Sequence, residues 1–148
     1  MQTNQRWPRA VEDGLIPTDN AMGVMTEEPS PAGEAFIALA ARAGRPLLEV
    51  GAAYGNATLP ALRAGGTVIA NDLSASELGV LASAASGEDR KRLVLMPARF
   101  PDEVHLGDES LSGVLAAEVL HSSMDRRSSV PSAASCAGSS PAARCTCP

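Results

Sequence analysis

Short apolar runs alternate with amphipathic stretches through the middle of the chain. Four of the apolar runs are bounded by turn residues, as is typical of buried parallel strands: 46–51, 66–72, 92–96 and 111–117. Three other stretches repeat apolar residues at helical spacing: 31–43, 56–64 and 74–85. Strands that alternate with helices predict βαβ units. The pattern therefore predicts an α/β fold with a doubly wound, mostly parallel sheet.

Turn and capping residues are expected to set the ends of these helices. Pro31 suits the first turn of the first helix, and Gly44 is expected to end that helix as a C-terminal cap. Asn56 lies where the second helix is predicted to begin, so its side chain is expected to cap free N–H groups there.

The two ends of the chain differ in composition from its middle. Residues 1–32 contain four prolines and no sustained period, which predicts an irregular segment. Residues 122–148 contain eight Ser, five Ala, three Pro and all three Cys, but no Leu, Ile or aromatic residue. Such a segment buries too little apolar surface to offset the entropy of ordering. We therefore expect a folded domain over 33–121 and a disordered, low-complexity tail over 122–148.

The charge balance excludes some classes of partner. The 148 residues include 17 acidic and 12 basic side chains, which gives a formal net charge of -5. General nucleic-acid binders and anionic-membrane binders need clustered Lys and Arg, so neither class is expected. No apolar run approaches the ~20 residues that span a bilayer, so we expect a soluble cytoplasmic protein. The spacing of Cys136, Cys145 and Cys147 matches zinc sites poorly, and free thiols without a metal are expected.

The stretch from Leu47 to Thr58 runs from a predicted strand through a turn of small residues into a predicted helix. In a parallel sheet this turn lies at the carboxyl edge, where ligands bind. Gly51 and Gly55 are expected to let the backbone approach a ligand closely. Asp72 ends the next strand, 21 positions after Gly51, where a carboxylate is placed to accept hydrogen bonds from a ribose diol.

Two cofactor classes use such a loop, and the residues here separate them. A dinucleotide fingerprint requires Gly at relative positions one, three and six, but these positions are Gly51, Ala53 and Asn56. One match of three disfavours a nicotinamide-dependent oxidoreductase. Glu49, two positions before Gly51, instead suits the cationic amino-acid end of S-adenosylmethionine.

Four segments, in order, resemble the motifs of the class I S-adenosylmethionine-dependent methyltransferases, which have a Rossmann-like fold: 49–55, 71–74, 96–101 and 112–121. The first resembles the glycine motif, with Ala53 in place of its middle glycine, and the second resembles the acidic end of the next strand. The third is similar to the segment after the third strand, where the family often has an Asp at the position of Pro97. The fourth is similar to the strand end that lines the methyl-transfer site.

The resemblance implies that the domain binds S-adenosylmethionine and transfers its methyl group to an acceptor. It implies that Asp72 binds the ribose and that Leu73 contacts the adenine. The full set of cofactor-binding residues that it implies is Glu49, Gly51, Ala53, Tyr54, Gly55, Asp72, Leu73, Ala98 and Glu118. No catalytic residue is assigned, because a histidine such as His121 at a strand end is more often packed or solvated than a general base. By analogy with the family, residues 1–32, with Trp7 and Met22, are a candidate lid over the cofactor.

The resemblance stops after the fourth strand, whereas the family's sheet has seven strands. We therefore expect an incomplete sheet whose fourth strand is an apolar edge that favours self-association. Read one base earlier, with third bases freely chosen, codons 122–148 encode a string that resembles the family's next helix and strand. We hypothesise that the tail is a frameshift product, which the DNA sequence across codon 121 would test. The alternative to an active methyltransferase of unidentified acceptor is a non-enzymatic remnant, or an interaction module that uses the exposed edge.

Overall fold

The computed structural model describes residues 15–19 and 23–116. Its first elements are two short strands, β1 (Leu15–Pro17) and β2 (Val24–Thr26), which pair antiparallel as a hairpin. The elements that follow are α1 (Pro31–Ala40), β3 (Leu47–Val50), α2 (Thr58–Arg63), β4 (Val68–Asp72), α3 (Ala75–Ala84), α4 (Gly87–Lys91), β5 (Leu93–Pro97) and β6 (Gly113–Leu115). All four predicted strands and all three predicted helices are present, which confirms the α/β fold class.

Strands β3 to β6 form one parallel sheet in the order β5-β4-β3-β6. From β3 the chain moves outward through β4 to β5, and then returns to place β6 on the other side of β3. This reversal is the topological switch point of a doubly wound sheet. Ligands bind at such a point, outside the carboxyl ends of the strands. Here the switch point lies where Glu49 of β3 is opposite Leu115 of β6.

The two faces of the sheet are covered differently, because alternate residues of a strand point to opposite faces. The larger core lies between the sheet and helices α1, α2 and α3, and its strand residues include Leu47, Val68 and Leu93. The other face carries a smaller buried group, Leu48, Val50 and Ile69. Side chains from the loop after β5 cover this smaller group, notably Leu106 and Leu111.

Helix α1 is shorter than predicted. Pro31 begins it, as expected. It ends at Ala40 because the chain then tightens, with the Arg42 amide bonded to the carbonyl of Leu39 only three residues back. This turn redirects the chain toward β3 before Gly44 is reached. The prediction that Gly44 ends the helix is therefore wrong.

Helix α2 begins at Thr58, two positions after its predicted start. Ala57 occupies the N-cap position and makes no side-chain capping bond. Asn56 turns its amide toward β2 instead, where Nδ2 donates to the carbonyl of Thr26 at 3.1 Å. The prediction that Asn56 caps this helix is wrong, because the hairpin supplies an acceptor that the local sequence does not reveal.

Helix α3 agrees with its prediction, and Ser74 caps it by accepting a hydrogen bond from the Glu77 amide at 3.2 Å. Helix α4 was not predicted and has five residues, with an exposed ion pair of 2.7 Å between Glu88 and Lys91. The hairpin was not predicted either, because its strands lie in the proline-containing segment 1–32, where no apolar run is sustained. Within the described ranges, no helix combines the length and apolar character needed to cross a membrane.

Candidate functional site

The glycine-rich loop, residues 51–57, joins β3 to α2 at the carboxyl edge of the sheet. Gly51 and Gly55 have φ values of 76° and 87°, in the left-handed region that favours glycine. The amides of Gly51 and Ala52 both donate to the carbonyl of Asn71 on the neighbouring strand, at 2.8 and 2.9 Å. The start of the loop is therefore held against the end of β4.

Ala53, in the middle of the loop, also has a left-handed backbone, with φ at 43°. For a residue with a side chain this conformation costs roughly 1–2 kcal/mol. Its amide donates to Oδ2 of Asp72 at 2.9 Å, and its methyl group is buried in a cluster with Ile16 and Met25 of the hairpin. These contacts offset the strain and stabilise an alanine at a position that the family motif gives to glycine.

Glu49 is a buried carboxylate at the carboxyl end of β3, with 4% of its surface exposed. Its Oε2 accepts a short hydrogen bond from the hydroxyl of Thr58, the first residue of α2. Burial raises the pKa of Glu49 to about 7, the hydrogen bonds from Thr58 oppose the rise, and the charge of Asp72 adds to it. The side chain therefore changes its charge near neutral pH.

Asp72 ends β4 and is 7% exposed. One of its carboxylate oxygens accepts from the Ala53 amide and the other from the Ser74 amide, both at 2.9 Å. The side chain thus connects the glycine-rich loop to the start of α3. A carboxylate offers about four acceptor positions, so about two remain for a ligand.

A small cleft, open to solvent, lies at the switch point between β3 and β6. Its lining consists of Ser30, Gly33, Glu49, Val50, Gly51, Asn56, Ala57 and Leu115. Glu49 is the ionisable side chain in this lining. The cleft is therefore acidic when Glu49 is ionised, and it favours a ligand that carries a positive charge.

The family model described as a methyltransferase domain matches residues 48–136, more than half of the chain. The chain belongs to the methyltransferase domain family. This match confirms the family indicated by the four motifs. It also continues beyond residue 121, where the resemblance of the motifs ends.

Solved structures that are similar to this methyltransferase-family chain include those of the glycopeptide N-methyltransferase MtfA. One is 26% identical with a TM-score of 0.47, over 59% of this chain and 41% of that chain. The complex of MtfA with S-adenosylmethionine is 28% identical with a TM-score of 0.40, over 45% of this chain and 31% of that chain. The present chain thus spans less than half the length of these solved chains. No curated protein matches it significantly.

Several residues predicted for cofactor binding in this methyltransferase-family chain lie along the carboxyl edge of the sheet. Glu49 and Gly51 line the cleft. Asp72 lies at the neighbouring strand end, and its carbonyl accepts a hydrogen bond of 3.1 Å from the amide of Ala98. Leu73 comes next and is 50% exposed, so its side chain is available to a flat apolar group.

Tyr54 and Gly55, also predicted to bind cofactor, do not belong to the cleft lining. Tyr54 is fully buried, and its hydroxyl donates to the carbonyl of Pro17 at 3.4 Å. Burial, followed by the charge of Glu77, raises the pKa of Tyr54 to about 12, so the hydroxyl remains a donor at neutral pH. A Cβ atom on Gly55 would lie 2.1 Å from Leu81 of α3, so helix packing requires glycine here.

Other predictions concern residues that lie outside the described ranges. These are the predictions for Trp7, Met22, Glu118, His121, Cys136, Cys145 and Cys147, and for the tail over 122–148. Within residues 15–19 and 23–116, no group of three His, Cys, Asp or Glu side chains is placed to hold a metal ion.

Thr58, Ser30 and Gly33 are among the site residues that were not predicted from the sequence. Thr58 contacts Glu49 across nine positions, and the contact depends on the path of the loop between them. A threonine at the start of the helix after a glycine-rich turn was the available signal. Ser30 and Gly33 line the cleft because α1 packs beside β6 and α2. The sequence indicates that a helix begins at Pro31, but not where that helix lies.

Proposed function

We propose that this protein binds S-adenosylmethionine at the carboxyl edge of β3 and β4 and transfers its methyl group to an acceptor. One observation carries the proposal. Two buried carboxylates, Glu49 and Asp72, lie at the ends of neighbouring strands on either side of one glycine-rich loop. No basic side chain belongs to the cleft lining that the structure describes. A ligand with a cationic amino-acid end and a ribose diol fits this arrangement.

The start of α2 argues against a dinucleotide cofactor. A dinucleotide places its pyrophosphate against the free N–H groups at the N-terminus of this helix. Here the hydroxyl of Thr58, the first helical residue, donates to the carboxylate of Glu49. The carboxyl group of Glu49 therefore lies where the pyrophosphate would, and in its ionised form it repels a second anion.

The residues of this site fit S-adenosylmethionine in distinct roles. Glu49 binds the amino group of the methionine end, and Gly51 leaves room for the ligand beside the backbone. Asp72 uses its two remaining acceptor positions for the ribose hydroxyls. Leu73, half exposed at the strand end, contacts the adenine, with the backbone of Ala98 next to it.

S-adenosylmethionine, when bound, supplies a methyl group on a sulfonium centre for attack by an oxygen, nitrogen or carbon nucleophile. The contribution of this chain is to orient the ligand and to exclude water, since holding two reactants in line removes much of the entropic barrier. No described side chain is assigned as a general base. The predicted cytoplasmic location stays a prediction.

Calorimetric titration of the full chain with S-adenosylhomocysteine at pH 8 tests the binding step. We expect a Kd in the range of ~1–100 μM, or about -8 to -5.5 kcal/mol. Glu49→Gln retains the shape and an acceptor for Thr58 but removes the charge, so its affinity should fall by at least tenfold. Glu88→Gln removes an exposed carboxylate of α4 far along the chain and should bind as the wild type does.

Two outcomes would contradict the proposal. A folded protein that binds NADH but not S-adenosylhomocysteine would replace it with the oxidoreductase alternative. Binding without any formation of S-adenosylhomocysteine from S-adenosylmethionine, across oxygen, nitrogen and carbon acceptors, would favour the non-enzymatic remnant instead.

A further inference from the structure

The β1–β2 hairpin packs on the glycine-rich loop through apolar side chains that are not part of the cleft. Ile16 is completely buried and Met25 is 7% exposed. They form one apolar cluster with Ala53 and Tyr54 of the loop. None of these four side chains belongs to the cleft lining. The hairpin therefore supports the loop from outside the place proposed for the ligand.

Polar contacts attach the hairpin to the loop on both sides of Gly55. The hydroxyl of Tyr54 donates to the carbonyl of Pro17 at 3.4 Å, and Nδ2 of Asn56 donates to the carbonyl of Thr26 at 3.1 Å. Each strand of the hairpin thus accepts one hydrogen bond from a loop side chain. The contacts bracket the residue at which the chain turns into α2.

The hairpin also contacts the start of α3. The amide of Asp19, just after β1, donates to Oε1 of Glu77 at 2.5 Å, and Ser76 donates to the carboxylate of Asp19 at 3.1 Å. The glycine-rich loop and the first turn of α3 are the two segments whose amides bond Asp72. One hairpin therefore bridges both segments that fix this carboxylate.

We propose that the β1–β2 hairpin is a positioning element that holds the glycine-rich loop in its ligand-binding conformation. Tyr54 and Asn56 are the positioning residues through which it acts. The ligand part of this inference rests on the proposed function. Ala53 gives the physical reason, because its left-handed backbone is unfavourable unless its methyl group stays buried under the hairpin. Release of the hairpin lowers the fraction of molecules whose loop is competent to bind. The apparent affinity falls in proportion to that fraction.

Hydrogen exchange without ligand tests the link between hairpin and loop. The reporters are the loop amides that are hydrogen bonded, those of Gly51, Ala52, Ala53 and Gly55. Ile16→Ala removes the buried anchor, and we expect these amides to exchange at least tenfold faster. Amides of β4 should keep their rates, since they report on the sheet. Ile16→Val should restore protection, and Val24→Ala, at a 53% exposed position of the same hairpin, should change nothing.

A second buried position keeps the test decisive if Ile16→Ala unfolds the sheet. Met25→Ala truncates another buried side chain of the same cluster and is then compared in the same way. Loop amides that keep wild-type rates while the hairpin amides exchange freely would overturn the inference.

The ligand measurement separates failure of this inference from failure of the proposed function. S-adenosylhomocysteine should bind the loosened variant at least tenfold more weakly and should slow exchange in the wild-type hairpin, because coupling between two sites is reciprocal. Equal affinity in the two proteins would overturn the positioning role. If the wild type does not bind at all, the proposed function fails, and the exchange rates still decide whether the hairpin holds the loop.

Discussion

The buried carboxylate of Glu49 lowers the stability of the folded protein when it ionises, and its position in the proposed ligand site explains why such a residue is there. A carboxylate whose pKa is about 7 when folded, against about 4.5 when unfolded, binds protons more tightly in the folded state. As pH rises from about 4.5 to about 7, the unfolded chain is already ionised while the folded chain is still protonated. Stability is therefore lost across this range, in total by roughly 3 kcal/mol, since each tenfold change in proton affinity is worth about 1.4 kcal/mol.

Glu49→Gln should remove this loss, because glutamine does not ionise. We expect the variant to be more stable than the wild type by roughly 2–3 kcal/mol at pH 8.5 and similar to it at pH 4.5. Urea unfolding at the two pH values measures the difference. Glu88→Gln, at an exposed position of α4, should retain the pH dependence of the wild type. An equal gain for Glu49→Gln at both pH values would show that the buried charge is not its cause.

The same carboxylate should make ligand binding depend on pH. A cationic amino group favours ionised Glu49, so binding lowers its pKa and releases a proton from the folded protein. Affinity for S-adenosylhomocysteine should therefore rise between pH 5.5 and pH 7.5, by up to about tenfold per pH unit at the lower end. Calorimetry in two buffers of different ionisation enthalpy measures the released proton. In Glu49→Gln the affinity should no longer depend on pH over this range, and the heat of binding should no longer depend on the buffer.

Among individual residues, the sequence predicted those whose roles depend on neighbours close in the chain. Glu49, Gly51 and Asp72 belong to one strand, turn and strand, so their spacing alone placed them at the same edge. Asn56 was misassigned, and Thr58 was missed. Both take their roles from partners in other elements, a β2 carbonyl and a β3 carboxylate, which only the folded chain brings into reach.

Among the elements, α3 and the glycine-rich loop are packed too closely for any side chain at Gly55. A Cβ atom there would lie 2.1 Å from Leu81, and the φ of 87° would also strain alanine. Gly55→Ala should destabilise the protein by roughly 2–4 kcal/mol in urea unfolding. The double substitution with Leu81→Ala should cost less than the sum of the two single ones, since Leu81→Ala removes the atoms that the new Cβ atom would overlap.

Gly79→Ala is the matched control for that experiment. Gly79 lies inside α3, and its Cβ position has no neighbour within 4 Å. An alanine at an exposed helix interior should stabilise the protein by about 0.5–1 kcal/mol. Stability changes of opposite sign at Gly55 and Gly79 would show that the constraint lies in the contact between the loop and the helix. A loss at both positions would point to a general intolerance of α3 instead.

The elements that the sequence predicted are those that lie in a sustained apolar run or in a stretch of helical spacing. The parallel strands are apolar runs between turns, and α1 and α3 span several turns each. Helix ends were less well predicted, because the end of α1 depends on the chain turning toward β3. The hairpin escaped prediction altogether, although it contacts both the loop and α3. Its strands are stabilised by packing on Tyr54, and their own residues form no pattern that predicts a strand.

For the whole molecule, the unequal cover of the two sheet faces has a consequence. Helices α1, α2 and α3 cover one face, whereas the loop after β5 covers part of the other. Val94 and Val114 on that second face are 47% and 55% exposed. Val114 lies on β6, whose outer edge has no partner strand among the described residues. This arrangement fits the predicted self-association through the β6 edge, which stays a prediction.

A substitution at Val114 tests that prediction. Exposed apolar edge strands invite pairing with a second copy, and a lysine on such a strand opposes it because the charge would be buried in the contact. We expect the mass of the wild type in sedimentation to rise with concentration, and that of Val114→Lys to remain monomeric. Val24→Lys adds the same charge at a similarly exposed valine, 53% accessible, on the hairpin and should associate as the wild type does. A wild type that stays monomeric at all concentrations would show that the β6 edge does not pair.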